Sequence, residues 1–378
     1  MTPRVLSRNK YSHDINMGGA AVESLGIDPQ FKEMATKLLG ASGAYNSIRV
    51  HKAAMNKIKS VEEKYGVSLD LPWTTKSLVN FGLCCASDCL KASTVRNYVS
   101  QVKRGHVMMN LPWNPDTALF NSLMKGLENS SDPGARRIAV TPRMLLAFRR
   151  KIKSLKKSWS RHDRRAMWAL IAFLWCGSFR SAELLAPTAS GFLEEETFTW
   201  GRLGDNKAKL EGVKTRWYSV LLRKPKEFRA GKEGVKIELF DVPAAWNPVQ
   251  AMDKFREDNV LGEEPGLPVF RWSSGQNITR NFLNGWIKSC GISMDGYPGN
   301  STLSSHCFRA GIVTMMGAMG CEENLIKSVG RWAGNSWLRY AKTGRSIRKS
   351  DQWKIQQQAA NEFQDWSPIP VLVESQEE

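Results

Sequence analysis

Apolar positions recur at helical spacing from Pro29 to about Asn129, and the interruptions fall where helix ends belong. Ser42 is placed to cap a helix that runs to Tyr65 and stops at Gly66. Thr74 or Thr75 opens a second, through Phe81, Leu83 and Leu90. Ser93-Thr94 opens a third, with Val95, Tyr98, Val99 and Val102 at i, i+3, i+4 and i+7. A fourth follows Asn114-Pro115, with Leu119, Phe120, Leu123 and Leu127 on one face. The pattern predicts a helical domain over residues 29–129, after a polar, loosely ordered N-terminus at 1–28. Ser, Pro, Gly and charge then cluster without periodicity, which marks an exposed linker over residues 130–140.

Thr141-Pro142 restarts a helix, an N-cap followed by proline at the first helical position. It opens a second domain over residues 141–348, whose first two helices reach Gly177. Phe198-Thr-Trp200, Trp217 to Leu222 and Val235 to Phe240 read as strands between Gly-rich turns. Helical patterns return at about 246–259, 276–290, 304–319, 322–331 and 335–343. A tail over 349–378 starts as a helix, Trp353 to Phe363, and turns Pro-rich and acidic. The expected fold class is mainly α with a small antiparallel β-sheet in the second domain, an α+β arrangement. The longest apolar stretch, Ala166 to Gly177, fits a buried helix and falls short of the ~20 residues of a membrane span. The start of the chain shows no apolar segment of the secretory kind, so the expectation is a protein that is not secreted.

Charge changes this picture. Lys and Arg number 54 against 36 Asp and Glu, a formal net charge of +18 on a chain of 378 residues. A folded protein this basic points to a polyanion, usually nucleic acid. The densest basic stretch, Arg136 to Arg165, starts at the linker and carries Asp163 as its one acidic residue. Within it Arg136, Arg137, Arg149, Arg150, Lys153, Lys156, Lys157 and Arg161 are candidates for DNA phosphate contact, although such a run also suits a solvated face. The seven scattered cysteines suggest reduced thiols, and Cys84-Cys85-x-x-x-Cys89 lacks a second pair at zinc spacing. No carboxylate cluster suggests Mg²⁺ ligation and no Gly-x-x-x-x-Gly-Lys-[Ser/Thr] loop suggests nucleotide hydrolysis, so no cofactor is expected.

Three separate segments hold residues suited to phosphoryl transfer. Arg180-x-x-Glu183 follows an apolar helix, His306-x-x-Arg309 opens another, and Gly330-Arg-Trp332 precedes Leu-Arg-Tyr340. Singly they read as a surface ion pair, a chance histidine and a core aromatic. Together they supply a Tyr hydroxyl as nucleophile and two guanidinia, Arg180 and Arg309, able to grip phosphoryl oxygens bidentately. Trp332 follows Arg309 by 23 residues and Tyr340 follows Trp332 by eight. In order and spacing this set resembles the catalytic signature of the tyrosine recombinases, the family of phage integrases. Leu325-Ile-Lys-Ser-Val-Gly-Arg-Trp and the N-terminal Ser93-Thr-Val-Arg-Asn-Tyr-Val-Ser extend the resemblance over about residues 30–345. The Gly-Arg-Trp and Leu-Arg-Tyr ending is most similar to the eukaryotic mobile-element enzymes of Crypton and DIRS type.

The resemblance implies a core-binding domain and a catalytic domain that form a C-shaped clamp on double-stranded DNA with paired recombination sites. It implies a homotetramer on synapsed DNA, a Holliday junction, and a tail that docks on a neighbouring subunit. Tyr340 would attack the scissile phosphate to give a 3′-phosphotyrosyl link. His306 would assist proton handling, Trp332 would donate its indole N–H to a phosphate oxygen, and Glu183 would orient and buffer the cationic site. A Lys in a β-hairpin would protonate the leaving 5′-oxygen; Lys224 at the end of the first hairpin strand is the leading candidate and Lys226 its competitor. The family's eukaryotic branch places such a protein in the nucleus, a bacterial host in the cytoplasm or nucleoid. Two other readings stay open: a DNA-binding protein that has kept the fold without recombination, and a type IB topoisomerase, which shares the Arg, Lys and Tyr chemistry.

Overall fold

The computed structural model describes residues 3–5, 28–34, 45–131, 136–223, 234–294, 301–318 and 321–331. The chain divides into two compact units, one over Ser7–Gly134 and one that joins Met1–Leu6 to Ala135–Glu378.

The first unit is helical: α1 (Tyr45–Tyr65), α2 (Thr75–Ser87), α3 (Ala92–Met108) and α4 (Ala118–Ser130). Thr74 caps α2, its hydroxyl accepting from the Ser77 N–H, while Ser77 reaches back to the Thr74 backbone. α4 begins later than Asn114-Pro115 predicts. Its N-cap is Thr117, and just ahead of it Asp116 accepts the Ala118 N–H at 2.9 Å in an Asx turn. The apolar faces meet in a core of Val61, Leu78, Phe81, Val95, Val102, Phe120 and Met124, with Trp73 wedged among them. Full burial of side chains of this size contributes about 1.5–3 kcal/mol each. His106 is fully buried and satisfied, accepting the Trp73 N–H at Nε2 and meeting the Val102 carbonyl at Nδ1.

In the second unit, α5 (Pro142–Ser154) starts on Thr141 and Pro142 as the sequence predicts, its cap hydroxyl accepting from the Met144 N–H. α6 (Arg161–Cys176) is capped by Ser160, and every residue from Ala166 to Cys176 is buried. A helix apolar on all sides is a core element. Accordingly α5, α8 (Pro248–Glu257) and α10 (Ser305–Ala318) pack around α6, after the short α7 (Ser181–Leu184) and with α9 (Arg280–Ser289) and α11 (Glu323–Gly330) beside α10. The edges hold short parallel pairs: β1 (Arg4–Val5) with β3 (Gly191–Phe192), and β2 (Arg136–Arg137) with β7 (Ser301–Thr302).

The sheet is antiparallel in the order β4 (Leu203–Leu210), β5 (Val213–Leu222), β6 (Val235–Phe240). The β4–β5 turn places Glu211 and Gly212 at positive φ, as a tight hairpin requires. β5 and β6 part at Leu222 opposite Val235. There Gly234 takes φ +74°, and a Cβ would meet the Leu222 carbonyl at 2.5 Å. Phe198-Thr-Trp200 is not a full strand: Thr199 makes a single antiparallel bridge to Pro268, and Trp200 then opens a 3₁₀ turn to Arg202, with Phe198 and Trp200 buried. Its apolar pair records burial, which periodicity alone does not convert into strand geometry.

Candidate active site

α6 ends at Gly177, and the chain turns sharply through Ser178, at φ +49°, and the fully buried Phe179 to Arg180. Arg180 is the N-cap of α7, which puts Glu183 at its third position, facing back. Glu183 Oε2 accepts the Arg180 N–H at 2.9 Å, and Oε1 accepts from Arg180 Nη1 at 3.0 Å. The expected Arg180–Glu183 neighbours are therefore one unit, with the Glu183 side chain 9% exposed and that of Arg180 25%.

α10 brings the second segment. His306 and Arg309 lie in its first turns, His306 half-buried and Arg309 wholly buried. Ser305, one residue ahead of His306, meets Ser181 hydroxyl to hydroxyl at 2.9 Å and so ties the start of α10 to that of α7. The helix is seated by its backbone: the Cys307 carbonyl accepts from the Val140 N–H at 3.0 Å, and the Val140 carbonyl accepts from the Trp175 indole at 3.0 Å. Gly311 permits this approach, since a Cβ there would lie 2.2 Å from the Val140 carbonyl oxygen and 2.6 Å from Trp175 Nε1.

The third segment contributes a residue that motif reading passes over. Arg331, directly after α11, is buried and donates to the Gly177 carbonyl at 3.2 Å, the Ser178 carbonyl at 3.0 Å and Glu183 Oε2 at 2.8 Å. Its guanidinium sits 5.2 Å from the centroid of the Phe179 ring. Its own carbonyl accepts from Arg309 Nη2 at 2.8 Å. Arg180, Glu183, Arg309 and Arg331, from three distant stretches of chain, thus form one connected cluster. Among these described residues three guanidinia gather around one carboxylate, a cationic grouping suited to hold a phosphoryl group.

This architecture has known counterparts. An integrase of the transposon Tn1549, solved in complex with transposon right end DNA, superposes with a TM-score of 0.50 at 13% identity, over 90% of this chain and 98% of that one. The XerH site-specific recombinase bound to a palindromic difH substrate superposes with a TM-score of 0.52 at 14% identity, over 94% of this chain and 89% of that one. This is the tyrosine-recombinase fold. No protein-family model matches the chain, and no curated protein matches it in sequence. The likeness is therefore one of architecture and not of residues.

Other predicted residues divide. Lys224, Lys226, Trp332 and Tyr340 lie outside the described residues. β2 carries Arg136 and Arg137 into the pairing with β7, which leads toward α10. On α5 and the 3₁₀ turn after it, Arg150, Lys153, Lys156 and Lys157 are exposed. Arg149 is instead turned inward: it donates to the Ala245 carbonyl at 3.0 Å and lies over the Trp168 ring. Arg161 pairs with Asp258 at 2.8 Å, shared with Arg165. These two arginines have partners within the protein that the run of charge does not reveal. Among the described residues no group of His, Cys, Asp and Glu is placed to hold a metal ion, and no helix is long and apolar enough to cross a membrane.

Proposed function

We propose that this protein is a tyrosine recombinase that cuts and rejoins double-stranded DNA at paired sites. The observation that carries this reading is the cluster itself. Arg180 and Arg309, chosen from sequence for one phosphate, are linked through Glu183 and Arg331 within a fold shared by DNA-bound integrases and recombinases.

In this reading the two guanidinia grip the non-bridging oxygens of the scissile phosphate and stabilise the charge of the transition state. The Tyr340 oxygen gives up its proton, with His306 assisting, and bonds to phosphorus. The bond from phosphorus to the 5′-oxygen breaks, and that oxygen takes a proton from Lys224, or from Lys226 if the hairpin presents it instead. Trp332 donates its indole N–H to a phosphate oxygen. The 3′-phosphotyrosyl ester conserves the energy of the broken phosphodiester, so a 5′-hydroxyl from the partner duplex rejoins the strand without ATP. Two such rounds pass through a Holliday junction in a homotetramer. The exposed cations Arg150, Lys153, Lys156 and Lys157, with Arg136 and Arg137, serve backbone phosphate and give binding that falls steeply with salt. The transposon origin of one structural neighbour and the Gly330-Arg-Trp332 ending favour a mobile-element enzyme of eukaryotic, Crypton or DIRS flavour, working in the nucleus.

A nicked suicide duplex, from which the cleaved fragment diffuses away, tests the reading. The expected result is a covalent protein–DNA adduct with the parent protein that is absent with Tyr340→Phe. An adduct that survives the substitution rules out Tyr340 as nucleophile, and a parent protein that forms none rules out the function.

A further inference from the structure

We infer that Arg331 is a positioning residue for strand cleavage, the piece that sets the two phosphate-gripping arginines at once; this rests on the recombinase reading above. Four observations converge on it. Its guanidinium donates to Glu183 Oε2 while that of Arg180 donates to Oε1, so the carboxylate is shared by two cations. Its carbonyl accepts from Arg309, so the same residue fixes the other arginine through the backbone. Its side chain fills a socket made by the turn that leads into Arg180, the carbonyls of Gly177 and Ser178 above the Phe179 ring. And it does this at φ +46°, the left-handed position after a helix where Gly or Asn is ordinarily found. A long cationic side chain in that conformation is kept for what it reaches.

The consequence for chemistry is electrostatic and geometric. With Arg331 in place, Glu183 is divided between two guanidinia and does not bind Arg180 alone. Without its side chain the carboxylate would turn wholly to Arg180, one positive charge would leave the cluster, and the carbonyl that Arg309 binds would lose its anchor. A single point of attachment therefore couples α7, α10 and the end of α11. Arg331 itself touches no reacting atom in this scheme; it acts through its neighbours.

The test uses the full chain and the nicked suicide duplex. Arg331→Asn keeps the left-handed backbone and removes the side chain, and Arg331→Lys keeps the charge without the planar fork. Expected are adduct formation slowed roughly 100-fold in Arg331→Asn, the scale of a displaced catalytic group, and about tenfold in Arg331→Lys, one charge-assisted hydrogen bond. Duplex affinity should stay within about threefold of the parent in both, so that the effect lies in the chemical step. The deciding measurement is the double variant with Arg180→Ala: because the Arg331 side chain acts on Arg180 through Glu183, while its link to Arg309 persists, its substitution should cost clearly less in that background than in the parent. Parent-like adduct rates in Arg331→Asn, or fully additive losses in the double variant, would overturn the inference while leaving the recombinase reading intact. Should Arg331→Asn fail to fold, parent-like rates in Arg331→Lys overturn it equally. A parent protein that forms no adduct fails the functional reading first, and the inference with it.

Discussion

Asp88 in the helical unit and Glu183 in the second unit each hold two cations, but of different kinds and with different partners. Asp88 follows α2 as its C-cap and accepts from Lys57, Lys64 and the Tyr65 hydroxyl, with the Lys64 side chain 57% exposed. Glu183 holds Arg180 and Arg331, the latter 5% exposed. Lys64 lies at the rim, stays hydrated and flexible and adds little, while Lys57 is more enclosed, its side chain 18% exposed. Buried guanidinium pairs are different. Their desolvation offsets most of their attraction, so apolar residues of like volume often stabilise a fold as well, yet removing one partner strands a charge. A protein whose aim at Glu183 was stability alone had cheaper solutions. The contrast separates a cluster that staples helices from one that keeps charge inside for a task.

The contrast depends on α10 lying close against the chain before α5, and Gly311→Ala attacks that directly. The atoms a Cβ would strike are a backbone carbonyl and an indole already bonded to each other, so neither can yield cheaply. We expect about 3 kcal/mol of destabilisation, the upper part of the overpacking range. In a unit of this size that lowers Tm by roughly 6–12 °C. Calorimetry should show the fall in the second unit, with the transition of the helical unit unmoved. An unchanged Tm would mean that α10 has slack and that the cluster is not held by this approach.

Glu183→Gln is the next largest effect, and the one that splits the two carboxylates by kind. The shape is kept and the counter-charge is lost, leaving Arg180 and Arg331 facing an amide. Breaking a buried pair predicts about 3 kcal/mol lost. Adduct formation should fall with it, whereas duplex binding should hold or tighten, because one negative charge near the bound phosphate has gone. Binding and chemistry lost together would place Glu183 with Asp88, as a structural residue.

Much of this was legible in the chain. Thr74, Thr141 and Pro142 announce their helices because capping is local chemistry. Arg180-x-x-Glu183 and His306-x-x-Arg309 announce themselves because a helical turn makes three-residue neighbours. Arg331 was not legible: its burial follows from a turn 150-odd residues earlier in the chain, and nothing in Gly330-Arg-Trp332 distinguishes a socketed side chain from a surface one. Strand β4 was silent for another reason. Leu203-Gly-Asp-Asn-Lys-Ala-Lys-Leu210 has no apolar face, and it is a strand because β5 pairs with it along its length. Arg149 and Arg161 show the converse, since a run of charge conceals which cations the protein itself has engaged.

Asp88→Asn is the smallest expected change and the cleanest complement, because pH reports on it. Hydrogen bonds from Lys57, then Lys64 and Tyr65, hold the Asp88 carboxyl far below the ordinary carboxylate range. A depressed folded value means that the stabilisation is present above the unfolded value of about 3.9 and is lost as pH falls toward the folded one. Lys64 titrates the other way. Its hydrogen bond to Asp88 raises it, so its contribution is present below the unfolded value of about 10.4 and is lost as pH rises through the folded one. The difference in melting temperature between parent and Asp88→Asn should therefore be widest around neutrality and narrow both below about pH 4 and above about pH 10.5. Adduct formation at pH 7 should match the parent, since the Asp88 partners lie within the helical unit and none belongs to the Glu183 cluster. A difference in melting temperature that stays flat across pH would show that Asp88 acts through shape alone, and slowed cleavage would join to the site a cluster that here only fastens helices.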